Sequence, residues 1–247
     1  MTVLRSALFY LCVFVLTTVT VVVYFPLMVA PQRMMMAGGS LWSRAVLALL
    51  AGITGLGHRV EGRENIPDGP VIFASKHQSA WDTFAFPALL GSPSLAIKKE
   101  LFLIPFYGWY ARHAGMIGID RGGGARALRS LVRGARESIG QGRSVIIFPE
   151  GTRVAPGLHR RYQPGIAALY KELERPVVPV AVNSGLFWGR RAFVKQPGTI
   201  TLEFLAPIAP GLAREEFMNE LERRIETATR RLEAGVKNES GAAPSAS

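Results

Sequence analysis

From Ala7 to Ala30 the chain reads ALFYLCVFVLTTVTVVVYFPLMVA, and no charged residue interrupts the run. A helix needs about 20 predominantly apolar residues to cross a hydrocarbon core, so this segment is long enough to span one. A secretory signal peptide is the rival reading. Against it, the preceding region carries only Arg5, and Met28-Val29-Ala30 followed by Pro31 is a poor cleavage site. The run also exceeds the roughly 7–15 apolar residues of a signal peptide's core. It therefore predicts a retained membrane helix. A second apolar segment, Met34 to Leu56, contains Trp42 and Arg44 and is broken by Gly38-Gly39, Gly52 and Gly55. That composition favours a helix lying in the membrane interface over a clean second span, with a helix buried against the domain as the other option. Residues 1–57 read as an N-terminal membrane-associated helical segment.

The chain has 247 residues, enough for one α/β domain besides this segment. A net charge of +11 draws it to anionic surfaces, whether nucleic acid, lipid headgroups or phosphorylated substrates. Charge alone does not choose among them. Cys12, the single cysteine, lies inside the apolar run and reads as a small apolar side chain. No internal disulfide is possible, and no Cys/His grouping has zinc spacing. A domain without metal or cofactor, facing a reducing compartment, is the simplest expectation.

Between residues 58 and 234, short β-branched runs alternate with helical stretches. Candidate strands are Arg59 to Glu61, Val71 to Ala74, Leu95 to Ile97, Met116 to Ile119, Ser144 to Phe148, Val177 to Val182 and Ile200 to Phe204. Helical patterns fall at Trp81 to Leu90, Ala125 to Ile139 and Gly165 to Leu173. Such interleaving predicts an α/β fold with a mixed, largely parallel sheet of about seven strands flanked by helices. A last amphipathic helix carries Phe217, Leu221, Ile225, Ala228 and Leu232 at three- and four-residue steps. Residues 235–247 are small and polar and predict a disordered tail.

Two constellations carry chemistry. The first follows the strand ending at Ala74: Ser75-Lys76-His77-Gln78-Ser79-Ala80-Trp81-Asp82. On one continuous helix His77 and Asp82 would point about 140° apart, so they meet only if the chain turns between them. Ser79 with Asp82 three residues later resembles a capping box that opens a helix. Asp82 then accepts a hydrogen bond from one imidazole nitrogen and leaves the other as a base. From these residues alone, a capping aspartate beside an unrelated loop histidine is the favoured reading. The second constellation, Phe148-Pro149-Glu150-Gly151-Thr152-Arg153, closes another strand. Strand C-termini line the usual crevice of an open α/β sheet, and Arg153 offers a planar fork for phosphate. Glu150 beside it reads as orienting the arginine or shaping the turn. Lys98 and Arg121 follow two further strands and would join Arg153 around a phosphate monoester.

Taken in order, His77…Asp82, Gly115-Met116-Ile117-Gly118-Ile119-Asp120-Arg121, Phe148 to Arg153, and Val177-Val178-Pro179-Val180-Ala181-Val182 resemble the glycerolipid acyltransferases. Lys98-Lys99-Glu100-Leu101 is similar to the family too. The resemblance implies His77 as general base, Asp82 as its partner, and Lys98, Arg121 and Arg153 on the acceptor phosphate. Glu150, Gly151 and Thr152 would shape that site. It further implies acyl transfer from acyl-CoA or acyl-carrier protein to the sn-2 hydroxyl of lysophosphatidic acid, on the cytoplasmic face of a bacterial inner membrane, without nucleic acid. Lys76, where the family usually has Asn, and Gly118, where a bulkier residue is usual, are departures. Lys76 would either lower the basicity of the histidine or swing clear of it.

Other classes fit less well. No Gly-x-Ser-x-Gly string exists for a serine hydrolase. Gly122-Gly123-Gly124-Ala125-Arg126-Ala127 has dinucleotide-loop spacing, but the acidic ribose partner expected about 20 residues on is not evident. Acylation of another acceptor such as lyso-ornithine lipid, or non-catalytic binding of anionic lipid, remain the alternatives.

Overall fold

A computed structural model describes residues 1–24, 31–91, 93–120 and 122–241. Seven strands form one sheet: β1 (Leu56–Glu61), β2 (Ile72–Ser75), β3 (Ser94–Lys98), β4 (Ile117–Ile119), β5 (Val145–Ile147), β6 (Val177–Val182) and β7 (Gly198–Phe204), in spatial order β1-β7-β6-β2-β5-β3-β4. Five neighbours from β6 to β4 run parallel, β1 is parallel to β7, and the β6–β7 pair alone is antiparallel. The sheet is thus mixed and largely parallel, as the alternation of segments predicts.

Strand side chains alternate between two cores. Phe73, Leu95, Ile146, Val178 and Val180 pack with α1 (Thr2–Tyr24), α2 (Gln32–Leu49) and α3 (Trp81–Leu90). Ile72, Ala74, Val145, Ile147 and Val177 pack on the other side with α5 (Gly124–Gly140), α6 (Gly165–Leu173) and α7 (Arg214–Gly241). With both faces covered, the middle strands are apolar throughout, and every residue of β6 is buried.

The N-terminal helices differ in how they meet this body. Most of α1 is exposed and apolar, with Leu4, Leu11, Phe14 and Val22 each more than half exposed. It touches the domain through Phe9, edge-on to Trp188 at 5.9 Å, and through Ser6, whose hydroxyl accepts the Lys195 N–H. The Lys195 amine lies 3.5 Å from the centre of the Tyr10 ring and 4.6 Å from that of Trp188. α2 continues as a π-turn through Leu50–Thr54, so Gly38-Gly39 does not break it. A Cβ on Gly38 would meet the Tyr24 ring, and one on Gly39 the Tyr110 hydroxyl, so these glycines are points of close approach. Thr2–Tyr24 and Gln32–Thr54 are both long and apolar enough to cross a membrane, and a third of the second is buried. Its inner side lies on α3, where Arg44 Nε donates to the Ala88 carbonyl at 3.1 Å.

Two elements depart from the sequence expectation. α4 (Tyr107–His113) follows a 3-10 turn at Lys99–Leu103, in a stretch whose exposed Leu103, Ile104 and Phe106 hide its helical period. α7 runs through Gly235 to Gly241 instead of yielding to a tail at 235, because one glycine costs a helix only about 1 kcal/mol. Residues 242–247 of the expected tail lie outside the described ones.

Candidate active site

The loop leaving β2 carries His77, and α3 begins four residues later with Asp82 in its first turn. His77 Nδ1 lies 2.9 Å from Asp82 Oδ2. The same oxygen accepts the Gln78 N–H at 2.7 Å and the Ser79 N–H at 2.9 Å, while Oδ1 accepts the Ser184 hydroxyl at 2.5 Å. Half of the expected capping box is present: Asp82 reaches back to Ser79, but the Ser79 hydroxyl takes the Trp81 N–H, so the helix starts at Trp81. Asp82 is 1% exposed, and every polar contact its two oxygens make is with a group that can donate. With that carboxylate as acceptor, Nδ1 carries the histidine proton and Nε2 keeps its lone pair. The ring stacks on Phe148, centroids 4.0 Å apart, which limits its rotation.

Phe148 belongs to the second constellation, so the two loops are in contact. The Val154 N–H donates to the His77 carbonyl at 2.8 Å, placing Arg153 directly beside the histidine loop. Gly151 has φ +69°, a left-handed turn closed by its N–H to the Phe148 carbonyl at 2.9 Å. Half-buried Thr152 and Arg153 follow, and Arg153 makes no ion pair among the described residues. Lys98 ends β3, two strands across from β2 at the same edge of the sheet, and lies 3.7 Å from Glu100 with both side chains half exposed. Arg121, expected at the phosphate, lies outside the described residues.

Glu150 takes a different place from the one its neighbourhood implies. It neither touches Arg153 nor faces the cleft: it is fully buried, with Oε1 2.7 Å from Lys76 Nζ and Oε2 accepting the His77 N–H at 3.0 Å. Lys76 swings clear of the imidazole into this carboxylate and Glu226, 2.8 Å away. Burial alone would lower the Lys76 pKa, yet the two carboxylates outweigh it and raise it, so the lysine stays charged. Burial also pushes the Glu150 carboxyl up, against the pull of Lys76. Gly118, the other departure, is covered by the Phe102 ring, whose edge would lie 2.7 Å from an added Cβ.

Sequence reasoning missed four groups at this site: Phe148 as a stacking partner, Ser184, Glu226 and Glu233. The last two had a signal, since Glu226, Thr229 and Glu233 recur at three and four residues beside the apolar stripe of α7. Ser184, just past the end of β6, had none. The glycine loop after Asp120 is a turn, with the Gly122 N–H on the Asp120 carboxylate and Lys99 paired to the same group.

Residues 57–183 match the family model described as Acyltransferase. The 1-acyl-sn-glycerol-3-phosphate acyltransferase of Pseudomonas aeruginosa is 38% identical over 159 residues, which are 64% of this chain and 62% of that protein. The enzyme of the same name from Limnanthes douglasii is 31% identical over 69% of this chain and 61% of its own length. The matched region therefore spans about six-tenths of these relatives. Among solved structures, the 1-acyl-sn-glycerophosphate (LPA) acyltransferase PlsC from Thermotoga maritima superposes with a TM-score of 0.77 at 23% identity, covering 95% of this chain and 98% of that one. The matched region holds the paired histidine and aspartate, the loops that follow β3 and β5, and β6, and the chain belongs to the Acyltransferase family.

Proposed function

We propose that the chain transfers a fatty-acyl group from a thioester, acyl-CoA or acyl-carrier protein, to the sn-2 hydroxyl of lysophosphatidic acid, giving phosphatidic acid. The observation that carries this reading is the 2.9 Å contact of His77 Nδ1 with Asp82, in a loop whose backbone is bonded to the residue after Arg153. A base and a phosphate-binding cation side by side fit an acceptor with a hydroxyl near a phosphate. The relatives named above carry the name of this activity.

In this reading His77 Nε2 takes the proton of the acceptor hydroxyl as its oxygen forms a bond to the thioester carbonyl carbon. Asp82 supports the imidazolium that results. Collapse of the tetrahedral intermediate breaks the C–S bond, and the imidazolium returns the proton to the leaving sulfur. A thioester is already activated, so neither a nucleophilic side chain nor a metal enters the scheme. The N–H groups of Gly151 and Ser79, natural candidates for the oxyanion, are already given to Phe148 and Asp82. Those of Thr152 and Arg153 meet no acceptor among the described residues and are left for that role. Arg153, with Lys98 and Arg121, holds the acceptor phosphate, and Glu150 holds the loop rather than the substrate.

The anchor fits the same scheme. Trp188 and Lys195, which hold the start of α1, follow the C-terminal end of β6, and His77 follows that of its parallel neighbour β2. The exposed apolar helix thus meets the body at the edge where chemistry is placed. We assign the chain to a bacterial inner membrane with this edge on the cytoplasmic side. Full-length protein in detergent, offered labelled acyl-CoA or acyl-carrier protein and a panel of lysolipids, should acylate lysophosphatidic acid in preference to acceptors lacking phosphate. Binding of anionic vesicles without any transfer would refute the enzymatic reading, and preference for lyso-ornithine lipid would refute the acceptor.

A further inference from the structure

The residues on either side of His77 both point into α7. Lys76 Nζ donates to Glu226 Oε1 at 2.8 Å, and Gln78 Nε2 donates to Glu233 Oε1 at 2.6 Å. In an extended chain leaving a strand, residues i−1 and i+1 point to one side and residue i to the other. A grip on 76 and 78 therefore fixes where 77 points. Glu226 and Glu233 are seven residues apart, about two helical turns, and so lie on one face of α7. All four residues are less than 10% exposed.

The same two carboxylates also hold the segment that follows Arg153. The Tyr162 hydroxyl donates to Glu226 Oε1 at 3.0 Å, and the Gly157 N–H to Glu233 Oε2 at 3.1 Å. Each glutamate thus bridges the histidine loop and the arginine loop, one bond to each. Burying carboxylates to dock a helix is a poor route to stability, since apolar side chains of similar size do as well or better. What a carboxylate supplies here is direction.

We propose that Glu226 and Glu233 are positioning residues for the reaction: α7 sets the orientation of the His77 ring and its distance from the phosphate-binding loop. Neither touches the reacting atoms. The inference rests on reading His77 as the base.

The test uses the full chain in detergent with labelled acyl-CoA and lysophosphatidic acid, comparing Glu226→Ala, Glu233→Ala, Glu233→Gln and the exposed control Glu215→Ala. Displacements of about 1 Å can cost a reaction up to about 100-fold. The two alanine variants should lose about 10- to 100-fold in kcat while KM for both substrates stays within about two-fold. Glu233→Gln, which keeps an acceptor for Gln78, should recover most of that loss, and Glu215→Ala should match the wild type. A glutamate that merely stabilises would lower the melting midpoint and leave kcat per folded molecule unchanged, and that result overturns the proposal. Hydrogen exchange at the amides of residues 77–79 gives a second readout that needs no turnover. It should speed up by about tenfold or more in Glu226→Ala and Glu233→Ala and stay near the wild-type rate in Glu233→Gln. A wild type that moves no acyl chain defeats the reading of His77 as base; unchanged exchange at 77–79 defeats the brace.

Discussion

His77 Nδ1 and two backbone N–H groups, those of Gln78 and Ser79, converge on one oxygen, Asp82 Oδ2, at 2.7 to 2.9 Å. One atom therefore fixes the tautomer of the imidazole and the start of the helix behind it. Asp82→Asn keeps an acceptor for these groups and removes the charge that supports an imidazolium. We expect kcat to fall about 10²–10⁴-fold with KM little changed and the fold intact, and His77→Ala to fall by a similar factor. Asp82→Ala should in addition lose about 1–2 kcal/mol of stability, because the N–H groups at the helix start lose their cap. Steady-state kinetics with denaturant melts of each variant separate the two effects. Full kcat in a folded Asp82→Asn protein would remove the aspartate from the mechanism.

Arg153 follows the turn that stacks Phe148 on His77, and it is free of ion pairs among the described residues. A charge-assisted hydrogen bond contributes about 1.5–3 kcal/mol. Arg153→Ala should therefore raise KM for lysophosphatidic acid by about 10- to 100-fold, and Arg153→Lys should recover only part, since an ammonium lacks the planar fork. Turnover of an acceptor without phosphate should not change. An equal loss for both acceptors would place Arg153 elsewhere in the mechanism.

Lys76 gives a prediction whose sign depends on pH. Lys76→Met leaves Glu150 and Glu226 buried without their cation, a change that costs about 3–5 kcal/mol in comparable buried pairs. The folded pKa of Lys76 is raised above its unfolded value. Its contribution is therefore complete below the unfolded value of about 10.4 and is lost as pH rises through the folded one. Urea melts of wild type and Lys76→Met should differ by a constant amount between pH 7 and 9 and converge at higher pH. A gap that widens above pH 10 would contradict a charged lysine in the pair.

The sheet was legible because its middle strands are covered on both faces and so read as apolar runs; the extent of β6 coincides with the predicted Val177 to Val182. Helix periodicity placed Trp81–Leu90 and Gly165–Leu173 for the same reason. What escaped were contacts between distant parts of the chain. Local sequence places Glu150 beside Arg153, yet its partners are Lys76 and the His77 backbone, more than 70 positions away. Gly38-Gly39 reads as a helix breaker until Tyr24 and Tyr110 fill the space beside it. Propensity describes a residue with no neighbours, and a buried site is made of neighbours.

Gly151 offers the sharpest separation of backbone strain from chemistry. Its φ of +69° lies in the left-handed region, and the turn is held by its own N–H on the Phe148 carbonyl and by the Gln163 N–H on the Pro149 carbonyl. An added Cβ would meet only Gln163 Cγ, at 3.3 Å, so the penalty of a substitution is mainly conformational. An L-residue in this region costs about 1–2 kcal/mol; Asn tolerates it better than Ala, and a β-branched residue tolerates it least. Stability by denaturant melt should thus rank Gly, Asn, Ala, Val. Relief of the strain would rotate the peptide that leads to Thr152 and Arg153, so KM for lysophosphatidic acid should rise in the same order. Because the Phe148 ring comes before the turn and the His77 ring rests on it, kcat should respond less than KM. A Gly151→Val protein with wild-type stability and KM would show that the left-handed turn is not maintained in solution.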